Sequence, residues 1–436
     1  MKILMGKKAT QDYLNKIRTN SYSSISSDGN GYFSKTYKLE QYIGKIIELT
    51  KKKGDDFLVE ISSKIDGIPF GGIKVQKNIL DESVSQISDK EKKVILNTIE
   101  RVKLFQSKTL SKSWFDEEKG YGEYVRPIES VGCYIPSGSA PLISTIIMTA
   151  VPAKIAGVKR IAVSSPTPGN QNPNKYLLAT AKLCGVDEFY TYGGPQAITA
   201  MAYGTETVPR VDLICGPGNI FVMNAKKQVY GDVGVDGIFG PTETLIICDQ
   251  SSNIDFVVSD LMAQAEHDEN AQAILITTKK SFLRDVEKEL SVLVEDQPRS
   301  EIILKSLRNH GALIQARDLG EAFEIVNYIA PEHLELSMQN PREHLPRIKH
   351  AGAIFLGKYT PESFGDYCAG PNHVLPTSGS ARFASPLGVY DFQKRTSIIE
   401  CNAENALEIG SVAFNIANAE GLTAHARSAI MRTNSK

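Results

Sequence analysis

From about Gly132 to Gly357, short apolar runs alternate with segments of helical periodicity, and Gly/Pro turns mark the switches. This alternation leaves few folds open. Strand–helix–strand units cross over right-handed and lay their strands parallel, so the pattern predicts α/β layers. In a first set, residues 160–166 read as a buried strand, 174–184 as a helix and 188–194 as strand and turn. Gln196 opens the next helix, 211–219 is strand and turn, and 220–230 is helical. A second set follows Gly240-Pro241, with strands at 243–249, 272–278, 311–316 and 353–357 and helices at 254–267, 281–293 and 319–329. Two similar α/β halves are therefore expected. No low-complexity linker divides them, so they should pack together.

The flanks read differently. Residues 1–115 have mostly helical spacing, clearest over 39–52 and 89–105, and the stretch 388–436 returns to helix at 403–420 and 424–432.

The 436 residues bury a large core without disulfide support. Net charge is -1, with no strongly basic face, so nucleic acid is not an expected partner. The longest apolar stretch, 141–158, is broken by Pro152 and Lys154 and reads as core rather than a membrane span. No secretory signal is visible at the start. Six scattered cysteines without a CxxC pair fit reduced thiols in a cytoplasmic protein.

Three turns can meet a ligand. Cys215-Gly-Pro-Gly-Asn219 joins a strand to a helix, where backbone N–H groups can hold a phosphate. It is not the usual dinucleotide fingerprint, because Phe221 stands where the third glycine belongs. The same turn could simply link two elements. The turns 134–141 and 193–196 resemble it, and all three would share the carboxyl rim of one parallel sheet, where ligands of open α/β folds bind.

Four of the seven histidines sit beside other chemistry-bearing residues. Gln264 and His267 are three apart on a helix and face one side. Glu332 and His333 follow Pro331, Asp366 and His373 bracket a Gly/Pro loop, and Glu420 and His425 bracket a turn. Each has a plain structural alternative, and His333 could serve only as a helix cap. Spacing alone does not join residues so far apart. If a fold did, the nitrogen and oxygen donors would suit a metal ion, and an unliganded imidazole would suit proton transfer near neutral pH. Cys133 and Cys368 have no histidine beside them in sequence and rank below the Glu332–His333 pair as reactive groups.

Taken together, the stretches GCYIPSGSAPLISTIIMTAVPAKIAGV, YGGPQAITAMAYGTETVPRVDLICGPGN, GPTE, LMAQAEH, YIAPEHLEL, GDYCAGPNHVLPT and EGLTAH resemble the histidinol dehydrogenase family, in family order from about residue 120 to 425. The N-terminal part, including KKKGDDFLVEISSKIDG, is similar more loosely. The resemblance implies oxidation of L-histidinol to L-histidine through the aldehyde, with two NAD and one zinc per subunit. It implies Gln264, His267, Asp366 and His425 as zinc ligands, with His425 lent by the partner subunit of a homodimer. His333 would be the general base, and Glu332 would activate water for the second oxidation. Thr242, His373 and Glu420 would contact substrate together with Gln264, His267, His333, Asp366 and His425. Tyr134, Gln196 and Asn219 would contact NAD.

The fold the resemblance implies is a pair of similar, incomplete doubly wound (Rossmann-like) domains with a helical N-terminal part and a helical C-terminal tail. The expected division is a helical arm at 1–30, a main domain from 31–133 with 244–387, an NAD domain at 134–243, and a tail at 388–436 reaching the partner subunit. Thr242 departs from the serine many family members carry; the hydroxyl is kept and a methyl is added.

Two rivals stand beside this reading. One is a paralogous zinc- and NAD-dependent dehydrogenase of another small polar alcohol, such as a sulfonated one. His373 and Glu420 suit an imidazole and an ammonium group, whereas an anionic substrate would want arginine or lysine there. The other is a metal-stabilised binding protein without turnover, against which the Glu332–His333 pair outside the ligand set speaks.

Overall fold

A computed structural model describes residues 1–19, 26–27, 37–65, 73–137, 141–167 and 173–433. Two parallel sheets organise them. The larger has six strands, in the order Lys2–Met5, Ala312–Gln315, Gln272–Thr277, Glu243–Cys248, His333–Ser337, Ala353–Leu356. The smaller has five, in the order Gly234–Val235, Leu213–Cys215, Ser130–Tyr134, Arg160–Ser164, Glu188–Tyr190.

The two sheets share one plan. Setting aside Lys2–Met5, which is added at the edge of the larger sheet, each starts at an inner strand, winds outward through two more, then returns to the other side of the first for the last two. That reversal is double winding, and the two halves repeat it. The strand residues explain why. Every residue of Glu243–Cys248 is buried. Leu245 and Ile247 enter the core on one face, and Ile246 and Cys248 enter the core on the other. The period of two thus serves two helical layers at once. Burying each leucine or isoleucine contributes about 1.5–3 kcal/mol before entropy is counted.

Three expectations are corrected. The 1–30 arm begins with a strand: Lys2–Met5 pairs in parallel with Ala312–Gln315 at the edge of the larger sheet. Four residues are too few to show a period, and their partner lies some 310 positions away. Residues 20–25 and 28–30 of that arm lie outside the described residues.

The second correction concerns 31–133, expected to side with the larger sheet. Tyr42, Ile43, Ile46, Phe57, Leu58 and Ile61, from helices Leu39–Lys53 and Asp55–Ile65, pack with Ala197, Ile198, Met201 and Val222 over the smaller sheet. Ile95 and Val102 of helix Asp89–Gln106 join the core on its other face. Strand Ser130–Tyr134 is itself the middle strand of that sheet, so a boundary after 133 would cut it. An amphipathic helix specifies that it needs a cover, not which sheet supplies it.

Third, the tail is not all helix. Gln393–Ile399 pairs antiparallel with Tyr121–Pro127, which also holds Trp114–Asp116. The helices Ala403–Ala419 and Thr423–Ile430 follow as expected.

The linker between the halves sets their relation. The chain leaves Gly234–Val235 at the carboxyl edge of the smaller sheet and, after residues 236–242, enters Glu243–Cys248 at the amino edge of the larger. The loop that carries Asn372 and Thr377 bonds both to helix Ile143–Ala156 of the smaller half and to the linker. Asn372 Nδ2 donates to the Met148 carbonyl at 2.6 Å, and the Gly240 N–H donates to Thr377 Oγ1.

Candidate active site

At the amino edge of the larger sheet, His333 is the first residue of its strand, in register with Thr244 and Ala353 on either side. Ala330, at φ 55°, ends the preceding helix in a left-handed turn, and Pro331 prevents the helix from resuming. The imidazole is buried, 3% exposed. Its Nδ1 lies 3.2 Å from the Glu243 carbonyl, which can only accept, so Nδ1 carries the proton. Nε2 is then a bare lone pair. It has no hydrogen-bond partner among the described residues and lies 3.8 Å from Asp366 Oδ1. Burial pushes the His333 pKa down to about 3, so the ring is neutral.

Glu332 lies beside it, with Oε2 3.6 Å from His333 Nδ1. Oε2 accepts from the Thr242 hydroxyl at 2.6 Å and from the Glu243 N–H at 2.8 Å. Burial drives its pKa well above the carboxylate range, against the pull of those two donors.

Gln264 is fully buried near the end of helix Ile254–Ala265, and His267 follows just beyond that end. Gln264 Oε1 takes the Thr244 hydroxyl at 3.3 Å, while its Nε2 has no hydrogen-bond partner among the described residues. His267 Nε2 stands 3.9 Å from Asp366 Oδ2. His267, Glu362 and Asp366 offer donor atoms all within 4.8 Å of one another. Burial raises Asp366 to about 7. Glu362 is driven well up by burial first and then by the charges of Asp366, Glu335 and Glu332. Buried carboxyls crowded in this way strain to stay neutral, and a divalent cation would relieve them. The nitrogen and oxygen donors fit zinc.

Glu362 was missed in the sequence. It opens the short helix Glu362–Tyr367 after Pro361, and its Oε2 shares the single Thr244 hydroxyl hydrogen with Gln264 Oε1. A signal was available: Glu362 and Asp366 are four apart and share a helix face.

His373 has both ring nitrogens engaged. Nδ1 donates to the Asp366 carbonyl at 2.8 Å, and Nε2 meets the Thr145 hydroxyl at 3.2 Å. Burial lowers its pKa to about 4. Glu420 and His425 are not gathered in. Both are exposed on the tail, and no side-chain hydrogen bond or ion pair ties either to the pocket among the described residues.

The three turns do share one rim, the carboxyl edge of the smaller sheet. Tyr134 ends strand Ser130–Tyr134, and its hydroxyl accepts from the Gly194 N–H at 3.1 Å. Gln196 is buried in helix Gly194–Tyr203. Asn219 caps helix Ile220–Val229 by accepting from the N–H groups of Phe221 and Val222, each at 3.1 Å. Residues 138–140 of the first turn lie outside the described residues.

A bare imidazole nitrogen beside a pocket for a cation, on a doubly wound α/β scaffold, suits proton removal from an alcohol during hydride transfer. That is dehydrogenase chemistry on an α/β scaffold. The family profile described as histidinol dehydrogenase matches residues 33–433. Histidinol dehydrogenase from Hydrogenovibrio crunogenus is 46% identical over 400 residues, covering 90% of this chain and 92% of that one. The Pseudomonas aeruginosa enzyme of the same name is 46% identical over 418 residues, covering 94% and 93%. The crystal structure of histidinol dehydrogenase from Elizabethkingia anophelis superposes with a TM-score of 0.91 at 31% identity, covering 99% of this chain and 98% of that one. The chain belongs to the histidinol dehydrogenase family.

Proposed function

We propose that the chain oxidises L-histidinol to L-histidine through L-histidinaldehyde, at the end of histidine biosynthesis. The observation that carries this reading is the buried, unpartnered Nε2 of His333 beside the cluster of His267, Glu362 and Asp366. Gln264, His267 and Asp366 would hold zinc together with His425 of a second copy. When bound, zinc supplies a fixed anchor for the substrate's nitrogen atoms, and NAD supplies the hydride acceptor.

The chain's own residues do the rest. His333 Nε2 takes the hydroxyl proton while the Glu243 carbonyl holds the ring in the tautomer that leaves Nε2 free. Glu332, steadied by Thr242 and the Glu243 N–H, orients the water that adds to the aldehyde. The same His333 then serves the second oxidation. His373, Glu420 and Thr242 would contact the substrate, and Tyr134, Gln196 and Asn219 the NAD. Fixing the reacting carbon in this way can lower a barrier by several kcal/mol.

A homodimer is part of the proposal. His425 stands exposed, and the tail helix before it also exposes Leu407, Ile409, Val412 and Ile416, an apolar stretch that a second copy would cover. No helix among the described residues is long and apolar enough to cross a membrane. All six cysteines are free thiols, in keeping with a cytoplasmic location.

The test is NADH formation, followed by absorbance with L-histidinol, beside metal analysis of the purified protein. About two NADH per histidinol and about one zinc per subunit are expected. Turnover of another small alcohol in preference to histidinol would favour the paralogue, and no turnover at all would leave only a binding protein.

A further inference from the structure

Lys226 and Asp236 form an ion pair whose side chains are 2% and 0% exposed. Lys226 lies on helix Ile220–Val229, about two turns past its Asn219 cap. Asp236 directly follows the strand Gly234–Val235. Between them they grip one residue. Lys226 Nζ donates to the Gly216 carbonyl at 3.0 Å, and the Gly216 N–H donates to Asp236 Oδ2 at 2.8 Å.

Gly216 has to be glycine. Its φ is +110°, and a Cβ there would lie 2.1 Å from the Tyr134 carbonyl oxygen. This close approach lets the turns after strands Ser130–Tyr134 and Leu213–Cys215 meet at the point where the sheet reverses its winding. A glycine that permits such a turn also leaves it loose. A buried ion pair adds little stability, because desolvation offsets much of the attraction. What this pair does supply is a fixed partner for both the N–H and the C=O of Gly216.

We propose that the buried Lys226–Asp236 pair sets the shape of the turn Cys215–Asn219, making Lys226 and Asp236 positioning residues for the dinucleotide. This rests on the reading that NAD binds at this rim. The pair stands in for the fixed geometry of the fingerprint glycine that Phe221 replaces. The segment leaving Asp236 carries Phe239, whose ring lies 5.2 Å from Lys226 Nζ, then Gly240 bonded to Thr377 and Thr242 bonded to Glu332.

The test is NADH binding to the zinc-loaded full chain by fluorescence titration, with zinc content and histidinol KM measured alongside. The double variant Lys226→Met/Asp236→Leu replaces the pair with apolar side chains of similar size, which buried sites tolerate. NADH affinity should fall about tenfold, the scale of one or two lost anchors, while zinc content and histidinol KM stay within about twofold. Asn219→Ala serves as the control for the rim itself. If it weakens NADH and the folded double variant does not, the pair is no positioning device although the NAD site stands. If neither weakens NADH, the rim is not the NAD site and the proposal falls with it. Should the double variant fail to fold, Lys226→Met decides, since Asp236 can take a proton and keep the Gly216 N–H. Weaker NADH binding then supports the proposal, and unchanged binding overturns it.

Discussion

The Thr242 hydroxyl donates to Glu332 Oε2 at 2.6 Å, and the same oxygen takes the N–H of Glu243 at 2.8 Å. One oxygen of the carboxyl is thereby held in place, leaving the other for water. Thr242→Ser keeps the hydroxyl and should oxidise supplied L-histidinaldehyde at close to the parent rate. Thr242→Val keeps the shape and loses the donor. A typical hydrogen bond is worth about 0.5–1.5 kcal/mol, so aldehyde oxidation should slow by about two- to tenfold. Equal rates for the serine and valine variants would show that the contact does not serve the second oxidation.

His333 combines a fixed Nδ1 with a free Nε2, and that combination separates a base from a ligand. His333→Asn should reduce histidinol turnover by about 10²–10⁴-fold while zinc content is retained. The paired measurement is NADH formation and metal analysis on the same preparation. Parallel loss of zinc and turnover would make His333 a ligand.

Much of this was legible before any coordinates. The strand–helix alternation gave the parallel sheets, and the Gly/Pro turns marked the rim where Tyr134, Gln196 and Asn219 stand. Strand His333–Ser337 was not legible. Its middle residue is Glu335, and a charged residue in a buried run argues against a strand. The fold satisfies that carboxylate with the N–H of Glu362, 27 residues further on. Gln393–Ile399 hid for the opposite reason: it is mostly exposed, so no apolar face marks it. Nor could spacing show that His267, His333 and Asp366 converge, since they meet only because the larger sheet turns its amino edge toward the pocket.

Glu362, unread in the sequence, adds a third donor to the cluster of His267 and Asp366, and a bound cation would hold it as a carboxylate. Glu362→Gln keeps an acceptor for Thr244 and removes the charge. Zinc should bind about tenfold or more weakly, on the scale seen when groups around metal ligands are altered. Competition with a chelator of known affinity measures it, and unchanged affinity would place Glu362 outside the metal's influence.

Asp391 provides a pH test away from the pocket. Burial raises its carboxyl to about 7, and nearby Asp236 adds to this, against the pull of the Gly388 N–H at 2.7 Å from Oδ2. In the unfolded chain it titrates at about 3.9. Between those values the folded protein holds a proton that the unfolded chain has released. Its contribution to stability is therefore greatest at low pH and is lost as pH rises from about 4 through about 7. Asp391→Asn should remove that slope. Subtracting the variant's urea midpoints from the parent's across this range should give a falling line, and a level one would refute the assignment.

The tail offers the sharpest test of the shared pocket. His425 is exposed on its own chain, while His333 is buried at the first residue of its strand. If each pocket takes His333 from one copy and His425 from the other, His333→Asn and His425→Asn should each be inactive, with zinc depleted only in the second. Mixing the two variants under conditions that exchange subunits should restore activity. Random pairing makes about half the dimers mixed, and each mixed dimer has one intact pocket of two, so about a quarter of parent activity should return. Activity that stays at the level of the separate variants, in a mixture shown to contain mixed dimers, would mean that both histidines serve a pocket within a single chain.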